Sequence, residues 1–233
     1  MSEFKFFDRG QCGTTLLIPG WATDYRIFDT LNLKTNYLMP IKFSPFDFDE
    51  DLIAAVKRYK LGKISIIGWS IGGFAASRFL SGYRDHVNDV TLVSVRRKYE
   101  RKRIEDIRGY LKKNRAAFLY TFYKDCFSRN EKREFAWFRD NLLKDYLDRI
   151  GLESLFEGLD YLSESEIKPE ALHGAGIRFV HGREDRIAPI KEVLELKEGL
   201  ADATLVAIDG SGHMPFLNPA FKEIFSGEHS SYR

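Results

Sequence analysis

Five residues, Gly68-Trp69-Ser70-Ile71-Gly72, separate an apolar run at 63–67 from a stretch of small, helix-compatible residues at 72–80. A strand that yields to a helix over so short a distance leaves room for a single tight turn. Gly-x-Ser-x-Gly at such a turn forces the serine into a strained backbone conformation. The glycines on either side remove Cβ atoms that would otherwise clash. The hydroxyl is then presented above the carboxyl edge of a sheet, where the N–H groups of the following helix face developing negative charge. Ser70 is the candidate nucleophile on these grounds.

The surrounding chain supports a parallel sheet. Residues 14–18 read as a buried strand that stops at Pro19-Gly20, and residues 36–40 as a weaker one. Residues 49–59 carry apolar side chains at 52, 53, 56 and 59, a helical period. Residues 89–95 form another apolar run. Alternation of this kind predicts a mostly parallel sheet with helices on both faces. The rhythm breaks at Arg96. Residues 96–167 are charged, aromatic and helix-periodic, with no convincing strand. Strands resume at 176–180 and 204–208, with helices expected around 190–200 and 219–225 and a polar, frayed tail at 227–233. The expected organisation is an α/β core made of residues 1–95 and 168–233, interrupted by a helical lid at 96–167.

A chain of 233 residues with 44% hydrophobic content suits one α/β domain. Its 36 basic and 34 acidic residues give a formal charge of +2, which offers no general nucleic-acid signal. Cys12 and Cys126 have neither metal-ligand spacing nor the density of a disulfide framework. The first thirteen residues lack a basic segment followed by an apolar one, so no export signal is expected. Apolar runs such as 64–67 are too short to span a bilayer. A cytoplasmic monomer with no membrane or nucleic-acid partner is the expectation.

A serine hydroxyl needs a base within hydrogen-bond reach. Of five histidines, His86, His173 and His229 lie in polar or strand-approach segments. His181 directly follows a strand and is a competitor. His213, in the glycine-rich run Asp209-Gly210-Ser211-Gly212-His213, follows the last strand and is the better placed base. In open parallel sheets, sites form beyond the carboxyl ends of strands. Asp185 meets that condition as the acid that would fix the imidazole tautomer, with Glu184 as the alternative. The backbone N–H groups of Ile71 and Trp21 are the candidate oxyanion donors. Trp21 and Trp69 would wall a substrate channel, although ordinary core packing accounts for Trp69 equally well.

Taken together, Pro19-Gly20-Trp21, Gly68-Trp69-Ser70-Ile71-Gly72-Gly73, His181-Gly182-Arg183-Glu184-Asp185 and Gly212-His213-Met214-Pro215-Phe216 resemble the α/β-hydrolase esterases. Within them the similarity is greatest to the methyl ester esterases that act on pimeloyl-[acyl-carrier protein] in biotin synthesis. Gly158-Leu159-Asp160-Tyr161-Leu162 adds to it. The resemblance spans the core and is weak through residues 96–167. It implies an α/β-hydrolase fold, a triad of Ser70, Asp185 and His213, and oxyanion donors at Trp21 and Ile71. Neither a metal nor an organic cofactor is implied. The resemblance also implies an acyl-carrier protein as partner, presenting a methyl ester. Two departures stand out: Pro19 replaces a histidine common in the oxyanion loop, and the chain is short, so an N-terminal hairpin is expected to be trimmed.

Residues 96–125 hold eleven basic and four acidic side chains, a net of +7. Arg96, Arg97 and Arg101 are the candidate docking residues for an acidic carrier protein; a solvated helical face is the plainer explanation. Phe118, Tyr120, Phe122, Tyr123, Phe127, Phe135, Trp137 and Phe138 crowd the same segment. Most are expected to pack the helices, with Phe122 the candidate contact for an acyl chain. An acyl thioesterase or short-chain carboxylesterase shares the same chemistry. A non-catalytic binding protein that keeps the turn is the alternative of another class.

Overall fold

A computed structural model describes residues 1–225. Seven strands form one sheet in the order β1-β3-β2-β4-β5-β6-β7. They are β1 (Glu3–Phe7), β2 (Thr14–Ile18), β3 (Asn36–Lys42), β4 (Ile64–Trp69), β5 (Val87–Val93), β6 (Gly176–Gly182) and β7 (Thr204–Ile208). All neighbours pair in parallel except β1 with β3. The helices are α1 (Phe48–Arg58), α2 (Ile71–Tyr83), α3 (Arg101–Asp125), α4 (Lys132–Phe138), α5 (Lys144–Arg149), α6 (Leu152–Glu164), α7 (Pro169–Leu172), α8 (Ile190–Glu198) and α9 (Pro219–Glu223). Among the described residues no helix is long and apolar enough to cross a membrane. Cys12 is exposed, Cys126 is buried, and both are free.

The sheet core follows from the apolar runs. Ile64, Ile66 and Ile67 of β4 and Leu16, Leu17 and Ile18 of β2 are almost wholly buried. Each such side chain contributes roughly 1.5–3 kcal/mol on removal from water. The helix α1 buries Phe48, Leu52, Ala55 and Val56. Its first turn carries Asp49, Glu50 and Asp51 and its last Lys57 and Arg58, matching the helix dipole.

The topology fixes where chemistry can occur. From β2 the chain steps to β3 on one side and then returns to β4 on the other. The loops after β2 and β4 diverge at this reversal, the crevice where open parallel sheets bind ligands. Register aligns Ile18 with Gly68, Trp69 with Val93, Val93 with Val180 and Gly182 with Ile208. The loops after β2, β4, β5, β6 and β7 therefore share one edge.

Several boundaries differ from the sequence expectation. β1 was not anticipated; it is an edge strand in which only Phe4 is buried deeply enough to join the core. β5 ends at Val93 rather than residue 95, because Ser94 turns to a positive φ of 50° while its N–H bonds the Val180 carbonyl at 3.0 Å. Of the tail, residues 226–233 and with them His229 lie outside the described residues.

Between β5 and α7 the chain is mainly helical. Its two ends meet: Lys98 bridges Glu166, and the Ile167 N–H bonds the Arg97 carbonyl at 2.9 Å. α3 is broken at Asn114, whose extended backbone interrupts the helix and whose side chain caps the second half through the Ala117 N–H at 3.0 Å. This second half carries Phe118 and Phe122.

Candidate active site

Ser70 occupies the turn between β4 and α2 with φ 54° and ψ −117°. Backbone crowding imposes this conformation. A Cβ on Gly68 would lie 2.5 Å from the Gly72 carbonyl oxygen, and one on Gly72 would lie 2.5 Å from that of Ile18. The Ser70 N–H is held by the Val93 carbonyl at 2.9 Å. Ile71 opens α2, where first-turn N–H groups lack intrahelical acceptors.

The other sequence-predicted residues converge on the same edge. His213 Nδ1 donates to Asp185 Oδ2 at 2.8 Å, and both side chains are buried. Asp185 Oδ1 accepts from the N–H groups of Ile187 and Ala188 at 2.8 and 2.9 Å. Burial pushes the Asp185 carboxyl up, yet the charges and hydrogen bonds of His213 and His181 outweigh it and hold the group well below the ordinary carboxylate range. Asp185 is thus a permanent anion at neutral pH, suited to orient an imidazole and stabilise its cation. Glu184 is exposed and accepts from Asn130 at 3.1 Å, so it is not the acid that His213 meets.

His181 is wholly buried. Its Nε2 lies 2.7 Å from the Ala188 carbonyl and 3.4 Å from Asp185 Oδ2. A carbonyl only accepts, so Nε2 carries the proton and Nδ1 is left without a partner. The competitor base therefore sits behind the acid and steadies the 182–188 loop.

Ser70 opens onto a cavity of about 190 Å³ whose apolar lining includes Trp21, Ile104, Phe118, Phe122, Leu159 and Leu162. Trp21 meets Phe122 edge-on at 5.1 Å, and its indole N–H donates to the Leu155 carbonyl of α6 at 2.9 Å. Arg103, Asp125 and Tyr99 supply polar groups to the lining. A wider cleft of about 500 Å³, lined by Phe46, Arg78 and Tyr161 among others, does not include Ser70.

Two sequence expectations change, those for Trp69 and Arg96. Trp69 does not line the cavity: its indole N–H donates to the His213 carbonyl at 2.7 Å and its ring packs on Phe216. It supports the histidine through its carbonyl, with the two rings 5.6 Å apart. Arg96 is only 9% exposed and pairs with Glu192 at 2.6 Å, which removes it from any docking surface. Arg97 pairs with Glu166 at 2.7 Å, while Arg101 is exposed. Of the aromatic set, Phe118 and Phe122 reach the cavity, whereas Tyr123, Phe127 and Phe138 are buried among the helices.

Tyr99 was missed in the sequence. Burial pushes its phenol above the ordinary value, and the Arg96 charge pulls the other way. The Arg96 guanidinium lies 4.8 Å from the Tyr99 ring centre and so fixes this neighbour of the serine. Nothing in a lone tyrosine amid basic residues signals that position.

Fold and site together define a hydrolase of the α/β type. The Alpha/beta hydrolase family profile matches residues 9–221, and the chain belongs to that family. It is 26% identical to the AB hydrolase superfamily protein YisY of Bacillus subtilis, over 90% of this chain and 88% of that one. It is 29% identical to the pimeloyl-[acyl-carrier protein] methyl ester esterase of Nitrosomonas europaea, over 67% of each. The fold is shared with an esterase from Exiguobacterium antarcticum, with a TM-score of 0.82 at 16% identity over 96% of this chain and 94% of that one.

Proposed function

We propose that the chain is a serine carboxylesterase working through an acyl-enzyme. The observation that carries this reading is the Asp185–His213 hydrogen bond beside a cavity onto which Ser70 opens. Ser70 Oγ attacks the ester carbonyl as His213 Nε2 takes its proton. The N–H groups of Trp21 and Ile71 receive the negative charge of the tetrahedral intermediate. His213 returns the proton to the leaving alkoxide, and an alcohol departs. Water, deprotonated by His213, attacks the acyl-Ser70 ester and releases a carboxylic acid and the free hydroxyl.

The proposed substrate is a methyl ester of a dicarboxylyl chain carried on an acyl-carrier protein. Two observations support it: the activity named for the Nitrosomonas relative, and the exposed Arg101 together with Arg103, which lines the cavity, both suited to an acidic carrier. The helical segment of residues 96–167 serves as the substrate-covering element, with Phe122 against the acyl chain.

A fluorophosphonate probe tests the chemistry: Ser70 should be labelled, and the His213→Ala variant should not be. Failure of wild-type labelling would favour a non-catalytic binding protein. The substrate is tested by turnover of pimeloyl-carrier methyl ester against the matching thioester. Equal turnover would sink the methyl ester reading and leave a thioesterase or general esterase.

A further inference from the structure

Glu131 lies at the start of α4, far in sequence from every residue named in the mechanism, yet it is only 2% exposed. Its carboxylate does not cap its own helix. Oε1 accepts from the Ser211 hydroxyl at 2.6 Å, and Oε2 accepts from the N–H groups of Gly212 and Ser128, each at 2.8 Å. Ser211 and Gly212 are the two residues immediately before His213. The next N–H, that of His213 itself, donates to the Cys126 carbonyl at 2.7 Å. Gly212 permits the approach: a Cβ there would lie 2.5 Å from that same Cys126 oxygen and 2.9 Å from the Ser128 nitrogen. On its other side the loop meets the acid loop, where the Glu184 N–H donates to the Ser211 carbonyl at 2.9 Å.

The geometry points to Glu131 as a positioning residue for His213, acting through the backbone of residues 211–213. This inference rests on the esterase reading only for its kinetic consequence. The physical case is one of acceptors. Two backbone N–H groups and a hydroxyl, all buried, converge on one carboxylate, and losing it would leave each without its acceptor. Their satisfaction fixes the loop that aims the imidazole. Nothing in the arrangement requires charge. A glutamine in the same rotamer can turn its carbonyl to the two N–H groups and donate its amide to the Ser211 oxygen. The inference therefore predicts that shape and acceptors matter, and that charge does not.

The test uses Glu131→Ala, Glu131→Gln and Ser211→Ala in the full chain, with a short-chain p-nitrophenyl ester and the low-field proton resonance of the His213 Nδ1–H as readouts. Glu131→Ala should lower kcat on the order of 10- to 100-fold, as expected when a base is displaced by about 1 Å, with KM little changed. Its Nδ1–H resonance should shift or broaden. Glu131→Gln should restore most of kcat and the resonance. Ser211→Ala, which removes one donor and leaves the fold intact, should cost kcat alone. The inference is overturned by a folded Glu131→Ala with wild-type kcat and resonance, by a Glu131→Gln as impaired as the alanine, or, where the alanine does not fold, by a Ser211→Ala with unchanged kcat. If the wild-type chain neither turns over the ester nor reacts with fluorophosphonate, the esterase reading fails by itself. The Nδ1–H resonance still decides the role of Glu131.

Discussion

At the turn from β4 to α2, backbone atoms meet backbone atoms; across the cavity, on α3, side chains meet side chains. Gly68 and Gly72 leave no space for even a methyl group, because their neighbours are carbonyl oxygens that cannot rotate away. Phe118 and Phe122, by contrast, touch Trp21 ring to ring and are only half-buried. A site built on peptide atoms tolerates no repacking, whereas a wall built of rings can exchange one ring for another at modest cost. Ser70, the proposed nucleophile, is held by the first kind of contact, and the acyl group is proposed to be met by the second.

The contrast can be broken most severely at the serine. Ser70→Ala should abolish fluorophosphonate labelling and lower ester turnover on the order of 10⁴- to 10⁶-fold, read by single-turnover kinetics. Asp185→Asn keeps the shape but lets the imidazole adopt the wrong tautomer. Its kcat should fall on the order of 10³- to 10⁴-fold at neutral pH with KM nearly unchanged. Gly72→Val drives a branched side chain into the Ile18 carbonyl and should cost about 3 kcal/mol or more, measured by urea unfolding. Phe122→Ala sharpens the other half of the comparison: KM for a medium-chain ester should rise several-fold while the labelling rate of Ser70 stays within about twofold.

The smallest effect concerns pH. The folded-state pKa of Asp185 lies below its unfolded value, so its contribution to stability is complete above an ordinary aspartate pKa of about 4 and is lost as pH falls through the lower, folded value. Wild-type thermal midpoints should therefore drop more steeply below about pH 4 than those of Asp185→Asn. Parallel slopes would count against a charged Asp185 in the fold.

Strands β2, β4, β5 and β6 could be read from the sequence because each is a largely buried apolar run bounded by turn residues, and β7 could be read from its apolar run although only Ile208 is buried. That the loop of Trp21 would stand beside Ser70 was expected from where strands β2 and β4 end, but the strand order that brings them together appears only in the fold. What could not be read has a common cause. Glu131 stands among Arg129, Asn130, Lys132 and Arg133 and looks like one more surface charge; only the fold brings Ser211 and Gly212 to it. Arg96 heads a basic run, yet Glu192, ninety-six residues on, draws it inward. Charged side chains carry no periodic signal of their partners, so their roles appear only once distant segments meet.

The segment from Cys126 to Glu131 grips the His213 loop, while Tyr123 bonds the Ala22 carbonyl and Arg26 pairs with Asp145 at 2.7 Å. If the helical segment covers the cavity as proposed, a hinged opening has to break these bonds and shift the His213 loop with them. On the proposed reading, entry to Ser70 would then fall to the turning of the lining rings and of Arg103, events on the order of nanoseconds rather than the microseconds to milliseconds of a hinge. On the proposed reading, admission of substrate would become a matter of rotamer populations, and the interval between turnovers need not contain a large-scale opening.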